Sequence, residues 1–399
     1  MREVFLVAAV RTPFCAMGGN LRAKAGTQLA GIAIKELLKR TEIAERGTVN
    51  GIFVGSARHC SVAQNPGRYL VMEVDLPIET EGHYVESQSG SAVSAINHAA
   101  SQIALGFADV CIAGGFESWS TTYAKYSRNV EPYTLQPPLP IRQKWTNDAA
   151  EDLSPLDSSE NLAKRYGISR IECDIYAKKS REKFAEAVKN GVVGDDIVPY
   201  VIPATRKTPE IVVNKDEPAE CPMTMEGMEN LQPVQPGGIH TAANMANHAD
   251  GAAVVLLMSG EKVRELGYEP LAKWVIGADE GVPNSIMGIG SARAAAKAIR
   301  LAELDAKDID VFEMSEAFAA EALAAKKELE LITDTAIDMA KWNPCGGAIA
   351  TGDANGASGA KMAYTAIKQM ERIGGKYAVV SCSCEGGQGV AMVLESVGR

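Results

Sequence analysis

The 399-residue sequence lacks an apolar run long enough to cross a bilayer. The longest internal run, Ala252 to Met258, has the length of a strand. A signal-peptide core is lacking too, because the N-terminal apolar stretch is short and follows the acidic Glu3. No basic segment stands out, and the net charge of −10 argues against a nucleic-acid partner, whose phosphates would need neutralising. A phosphorylated small molecule stays possible, since it needs only a local cluster of donors. The eight cysteines have no regular spacing, which fits reduced thiols in the cytoplasm better than a disulfide framework. Charged residues at 23% exclude wholesale disorder, and 46% hydrophobic residues suffice for a core spread over two or three sub-domains.

What is present alternates. Short apolar runs such as Val4–Val10 and Val110–Ala113 read as buried strands. Thr27–Arg40 and Ser91–Gly106 read as helices, so the pattern predicts an α/β protein around a largely parallel sheet. Ser169-Arg-Ile-Glu172 predicts a capping box opening a helix that stops at Asn190-Gly191, and a second cap is expected at Ser291. From Trp119 to His248 the chain is rich in Pro, Tyr and Trp, including Pro132 and the Met-rich stretch from Cys221 to Met228. This reads as an inserted, loop-rich layer of the kind that covers active sites. Its methionines suit either irregular core packing or the wall of a flexible tunnel. An internal echo joins the halves: Ser89-Gly90 leads through a small-residue helix and a strand to Gly114-Gly115, and Ser358-Gly359 leads likewise to Gly386-Gly387.

Eight blocks carry more specific information. Arg11-Thr-Pro-Phe14, Gln64-Asn-Pro-Gly-Arg68, Gly114-Gly-Phe-Glu-Ser118 and Met287-Gly-Ile-Gly290 come first. Ser315-Glu-Ala-Phe318, Asn343-Pro-Cys-Gly-Gly-Ala-Ile-Ala350, Gly356-Ala-Ser-Gly359 and Gly386-Gly-Gln-Gly389 follow in order. Together they resemble the blocks of the thiolase superfamily along nearly the whole chain. The resemblance implies two pseudo-symmetric, mixed five-stranded sheets flanked by helices, with a loop domain inserted in the first half. The expected boundaries are residues 1–118 with 249–270, an insertion at 119–248, and a C-terminal half at 271–399. It also implies coenzyme A as substrate or product, no tightly bound cofactor or metal, and a homodimer or tetramer.

That family uses a Cys nucleophile, an Asn that holds a water, a His that donates to an oxyanion, and a second Cys that moves a proton. Here the corresponding positions hold Ser87, Ser315, Asp353 and Ser383. Ser87 reads either as an N-cap or as a nucleophile that needs a base. An ionised Asp353 would repel an oxyanion, so this is the severest change; Ser315 is the mildest, because a hydroxyl still holds a water. Cys382 and Cys384 compete with Ser383. Strand alternation sets the two cysteines on one face and Ser381 and Ser383 on the other, and a one-residue bulge would exchange them. Ala246, Asn247 and Glu385 fall in the expected CoA and oxyanion region, with Ala246 replacing the family serine. His83 could approach from a strand end, whereas His240 and His248 flank the CoA-side block.

Three functions follow as expectations. The first is an acyltransferase making or breaking a carbon–carbon bond next to a CoA thioester, with an altered catalytic set. The second is a non-catalytic subunit paired with an active homologue or a small accessory protein. The third is a retro-aldolase or hydrolase using Asp353 as base.

Overall fold

A computed structural model describes residues 1–58, 60–127, 137–218 and 224–398. Twelve strands occur among them: β1 Val4–Arg11, β2 Cys15–Ala16, β3 Gly51–Gly55, β4 Glu81–Val85, β5 Val110–Glu117, β6 Tyr200–Ile202, β7 Ile211–Val213, β8 Ala249–Ser259, β9 Ala272–Gly281, β10 Val311–Met314, β11 Tyr377–Cys384 and β12 Gln388–Ser396. Ten of them form one sheet in the order β10-β11-β12-β9-β1-β8-β5-β3-β4, with β2 paired to β8. The two halves expected as separate sheets are therefore joined edge to edge. The seam is short: Val4, Phe5 and Leu6 of β1 pair antiparallel with Trp274, Lys273 and Ala272 of β9.

The apolar composition of β5 and β8 explains their central place. Every residue of both strands is buried, as expected for strands covered on two faces. One core lies between the halves, where helices Ser91–Ala104 and Ser358–Ile373 pack together and against strands from both sides. Their contact is close enough that a Cβ on Gly359 would sit 2.5 Å from Val93 Cγ2. The small residues of the echoed segments thus serve this helix–helix approach. Two outer cores complete the layers, one under helix Gly26–Thr41 and one under helices Gly290–Leu301 and Ala319–Thr333.

The capping box at Ser169 forms: Ser169 N–H donates to Glu172 Oε2 at 2.7 Å, opening helix Arg170–Lys189. The cap expected at Ser291 does not. The helix starts at Gly290, and the Ser291 hydroxyl donates to the Gly288 carbonyl at 3.1 Å from inside the first turn. The middle segment is also more helical than its composition suggests, with helix Pro155–Tyr166 preceding Arg170–Lys189. Pro132 and residues 221–223 of the Met-rich stretch lie outside the described residues; Met228 is fully buried. No helix among the described residues is long and apolar enough to cross a membrane.

Candidate functional site

Strands β10 and β11 run parallel, with Met314 opposite Ser381, so their C-terminal ends open on the same side. Ligands of α/β sheets bind outside such ends. Ser315 follows β10 directly, and its N–H donates to the Ser381 carbonyl at 2.8 Å. Ser383 lies one pleat further on β11, and its N–H donates to Ser315 Oγ at 3.1 Å. The two hydroxyl oxygens are 3.1 Å apart. Two expected positions, 68 residues apart in the chain, are brought into contact.

Sequence reasoning missed what they share. Glu321, in the first turn of helix Ala319–Thr333, accepts a close hydrogen bond from Ser383 Oγ and one of 3.2 Å from Ser315 Oγ. Glu321 is buried. Burial pushes its carboxyl up to about 8, against the two serine hydrogen bonds that favour the anion; Glu385 and Asp353 push it further upward. In an alanine-rich helix with three glutamates and two lysines, Glu321 reads as solvent-facing, so the pattern gave little sign of this role.

An internal cavity of about 30 Å³, room for about two water molecules, adjoins Ser315. Ser89, Glu313, Asp353, Lys361 and Cys382 line it as well. Asp353 is held in place by its backbone, donating to the Asn247 carbonyl at 2.8 Å and accepting from Ala249 N–H at 2.9 Å. Its Oδ1 accepts from Ser358 Oγ at 2.6 Å. Burial raises its affinity for a proton, while Ser358 and Lys361 oppose that rise. A carboxylate so placed accepts hydrogen bonds and cannot supply the donor that an imidazole offers. Glu313 is 2% exposed, and its Oε1 has no partner among the described residues. Burial pushes that carboxyl up to about 8. Lys361 Nζ donates to Thr351 Oγ1 at 2.6 Å, and burial lowers its ionisation.

Ser87 sits on the other half, between β4 and a short turn at Gln88–Gly90. The turn is tight: Gln88 has φ of 48°, left-handed for a residue with a side chain. The N-cap reading fails, since the Ser87 hydroxyl makes no capping contact and instead accepts from Ser94 Oγ at 3.1 Å. Ser94 is a neutral hydroxyl and supplies no base. Ser89 ties this turn to the opposite half. Its hydroxyl donates to Glu385 Oε2 at 3.0 Å and accepts from Asn355 Nδ2 at 2.8 Å, two residues after Asp353. Asn355 Oδ1 in turn accepts from Trp119 Nε1 at 2.7 Å.

The competing cysteines are resolved by register. Strand β11 pairs with β12 without a bulge from Tyr377 to Cys384, so alternation holds. Cys384 is fully buried and faces Gly90; Cys382 is buried beside Met362 at the cavity wall. Burial raises both thiols far above their ordinary range. Among the described residues no group of His, Cys, Asp and Glu could hold a metal. Ala246 is buried, its N–H donating to the Ala317 carbonyl at 2.8 Å, so it and Asn247 flank the Asp353 loop. His83 stays outside, stacked on Phe53 at 4.3 Å on strand β4. His240 is buried with Nε2 2.7 Å from Ser159 Oγ, and burial lowers it to about 4. His248 stacks on Trp119 at 3.6 Å.

Two similar α/β halves, with hydroxyls and buried carboxyls gathered where they meet, define a thiolase-type scaffold. Residues 4–261 match the model of the thiolase N-terminal domain and residues 268–396 that of the C-terminal domain. The chain belongs to the thiolase family. It is 36% identical to the beta-ketoadipyl-CoA thiolase of Acinetobacter baylyi, with 100% of both chains covered. The crystal structure of human mitochondrial 3-ketoacyl-CoA thiolase superposes with a TM-score of 0.90 at 34% identity, covering 99% of each chain. The same human protein in complex with CoA gives 0.89 at 34% identity, covering 99% of this chain and 98% of that one.

Proposed function

We propose that this protein is an acyltransferase that makes or cleaves a carbon–carbon bond next to the thioester of a 3-oxoacyl-CoA, with a serine-and-carboxyl set in place of the family's thiols and imidazole. The observation that carries this reading is the contact of Ser315 with Ser383 at the strand ends, 3.1 Å apart beside the Asp353 cavity. The family match and the CoA complex of the human relative support CoA as the carrier. Ser87 is the acyl acceptor in this scheme: its oxygen forms the ester bond, the carbon–sulfur bond breaks, and CoA leaves as the thiol with the serine proton. Lacking a base, that step is slow, since an unassisted hydroxyl is a weak nucleophile.

The test is incubation with acetoacetyl-CoA and acetyl-CoA, followed by intact-protein and peptide mass spectrometry. An acetyl group on the Ser87 peptide, absent from Ser87→Ala, supports the reading. Absence of CoA-thioester binding sinks it. The neutral partner of Ser87 also favours a second reading, a CoA-binding subunit without turnover. Binding without acylation, together with a thiolase-like or small partner on purification from the native host, is its expected signature. A homodimer or tetramer alone is expected under the first reading.

A further inference from the structure

Neither Ser315 nor Ser383 can hold a proton charge near neutral pH, because a serine hydroxyl does not ionise there. A hydroxyl can nevertheless hand a proton onward when a group that does ionise accepts behind it. Glu321 occupies that place. Its Oε1 receives both hydroxyls, Ser383 closely and Ser315 at 3.2 Å, and Ser315 itself opens on the cavity. The carboxyl is 1% exposed and starts a helix whose N-terminal dipole favours its anion. The charged groups acting on it, Glu385 from the turn after β11 and Asp353 from the cavity loop, are both carboxylates. On the far side Gly288 is the close neighbour: a Cβ there would stand 2.5 Å from Glu321 Cγ. This segment thus leaves the carboxyl its room.

We propose that Glu321 is the positioned proton-holding residue of this site, acting through the hydroxyls of Ser383 and Ser315. The inference rests on the acyl-transfer reading for its substrate, and its chemistry is the activation of a carbon acid. A C–H bond alpha to the thioester breaks and its electron pair enters the enolate. The proton passes to Ser315 Oγ on the cavity wall as the Ser315 proton passes to Ser383 Oγ and the Ser383 proton to the Glu321 carboxylate, leaving both serines neutral. The reverse relay returns the proton when the new bond is cleaved.

Two measurements test this on the full-length protein. The first is infrared difference titration between about pH 6 and about pH 9, the range around a carboxyl raised to about 8. A protonated-carboxyl band that disappears through this range is expected to lose one component in Glu321→Gln, the remainder coming from Glu313 and Glu117, which burial also raises into this range. Glu328→Gln, a buried carboxyl elsewhere on the same helix, should leave the band in place. Ser383→Ala removes a hydrogen bond to the anion and should move the midpoint to higher pH; the pH dependence of exchange, measured next, is the readout that a merely structural Glu321 would not move. The second is deuterium exchange at the alpha carbon of acetyl-CoA in D2O. The rate should rise with the same midpoint, and Glu321→Gln should lose about 100-fold together with the pH dependence.

A band of unchanged amplitude in Glu321→Gln, or an exchange profile unchanged by it, overturns the proposal. An inert wild-type protein whose Glu321 band still titrates and moves with Ser383→Ala overturns the acyl-transfer reading while upholding the proton assignment. If Glu321→Gln fails to fold, the Ser383→Ala shift decides, and an unmoved midpoint counts against the relay.

Discussion

Two buried acidic clusters in this molecule have opposite surroundings. In the first half, Arg11 Nε donates to Asp196 at 2.9 Å and Nη2 donates to Asp216 at 2.9 Å. All three side chains are at most 5% exposed. Burial works to raise both carboxyls; the guanidinium and its hydrogen bonds bring Asp216 below the usual carboxylate range, while Asp196, also beside Asp216 and Asp195, stays raised. In the second half, Glu321 and Glu313 are as deeply buried, but Glu321 meets serine hydroxyls. Glu313 feels Lys361 and Lys183 through space, with no hydrogen-bond partner on Oε1 among the described residues. Burial wins there, and both carboxyls rise to about 8. Depth alone does not set protonation; the balance of burial against every nearby charge and hydrogen bond does. The first cluster sets a buried cation against its carboxyls, while burial in the second favours the protonated acids.

The sharpest way to break this contrast is Arg11→Ala. Removing the cation leaves two buried carboxylates uncompensated, at a cost of about 3–5 kcal/mol in urea denaturation. A wild-type midpoint would show that the first cluster is not stabilised by charge. Glu321→Gln should act next, on the pH dependence of stability. The folded carboxyl at about 8 binds a proton that the unfolded chain, near 4.5, has released. Stability carried by this group is therefore complete below about 4.5 and declines as pH rises toward about 8. The Gln variant should flatten that decline in thermal melts across the range, and an unchanged slope would remove Glu321 from the raised set.

Glu313→Gln sharpens the comparison further. Because Oε1 has no partner among the described residues, replacing the acid should be neutral or stabilising by about 1 kcal/mol above pH 8, where the wild-type group must ionise while buried. A destabilised variant would mean that its charge is matched after all. The smallest effect is expected from Asp353→Asn. It keeps the side chain beside Ser358 but removes a charge that raises Glu321, so the infrared midpoint should fall by a few tenths of a pH unit. An upward shift would place Asp353 outside the electrostatics of the site.

Much of this organisation is legible in the residue order. The eight blocks point to the family. The alternation Ser381-Cys382-Ser383-Cys384 predicts which face each side chain takes, and the unbroken register of β11 with β12 agrees. The Ser169 box reads correctly because its two partners are three residues apart, a separation that local geometry fixes. Ser291 misleads for a tertiary reason: its helix begins one residue earlier, where Gly290 packs against the Gln388 carbonyl of β12.

The residue order by itself places Ser87, Ser315, Asp353 and Ser383 in blocks that resemble the family's, and that placement is an expectation drawn from the sequence. What those residues can do was decided by tertiary structure. Glu321 meets Ser383 across 62 residues, and Arg11 meets Asp216 across 205. Proton affinity depends on burial and on the group standing opposite, and both are set by elements that touch only once the sheet has closed.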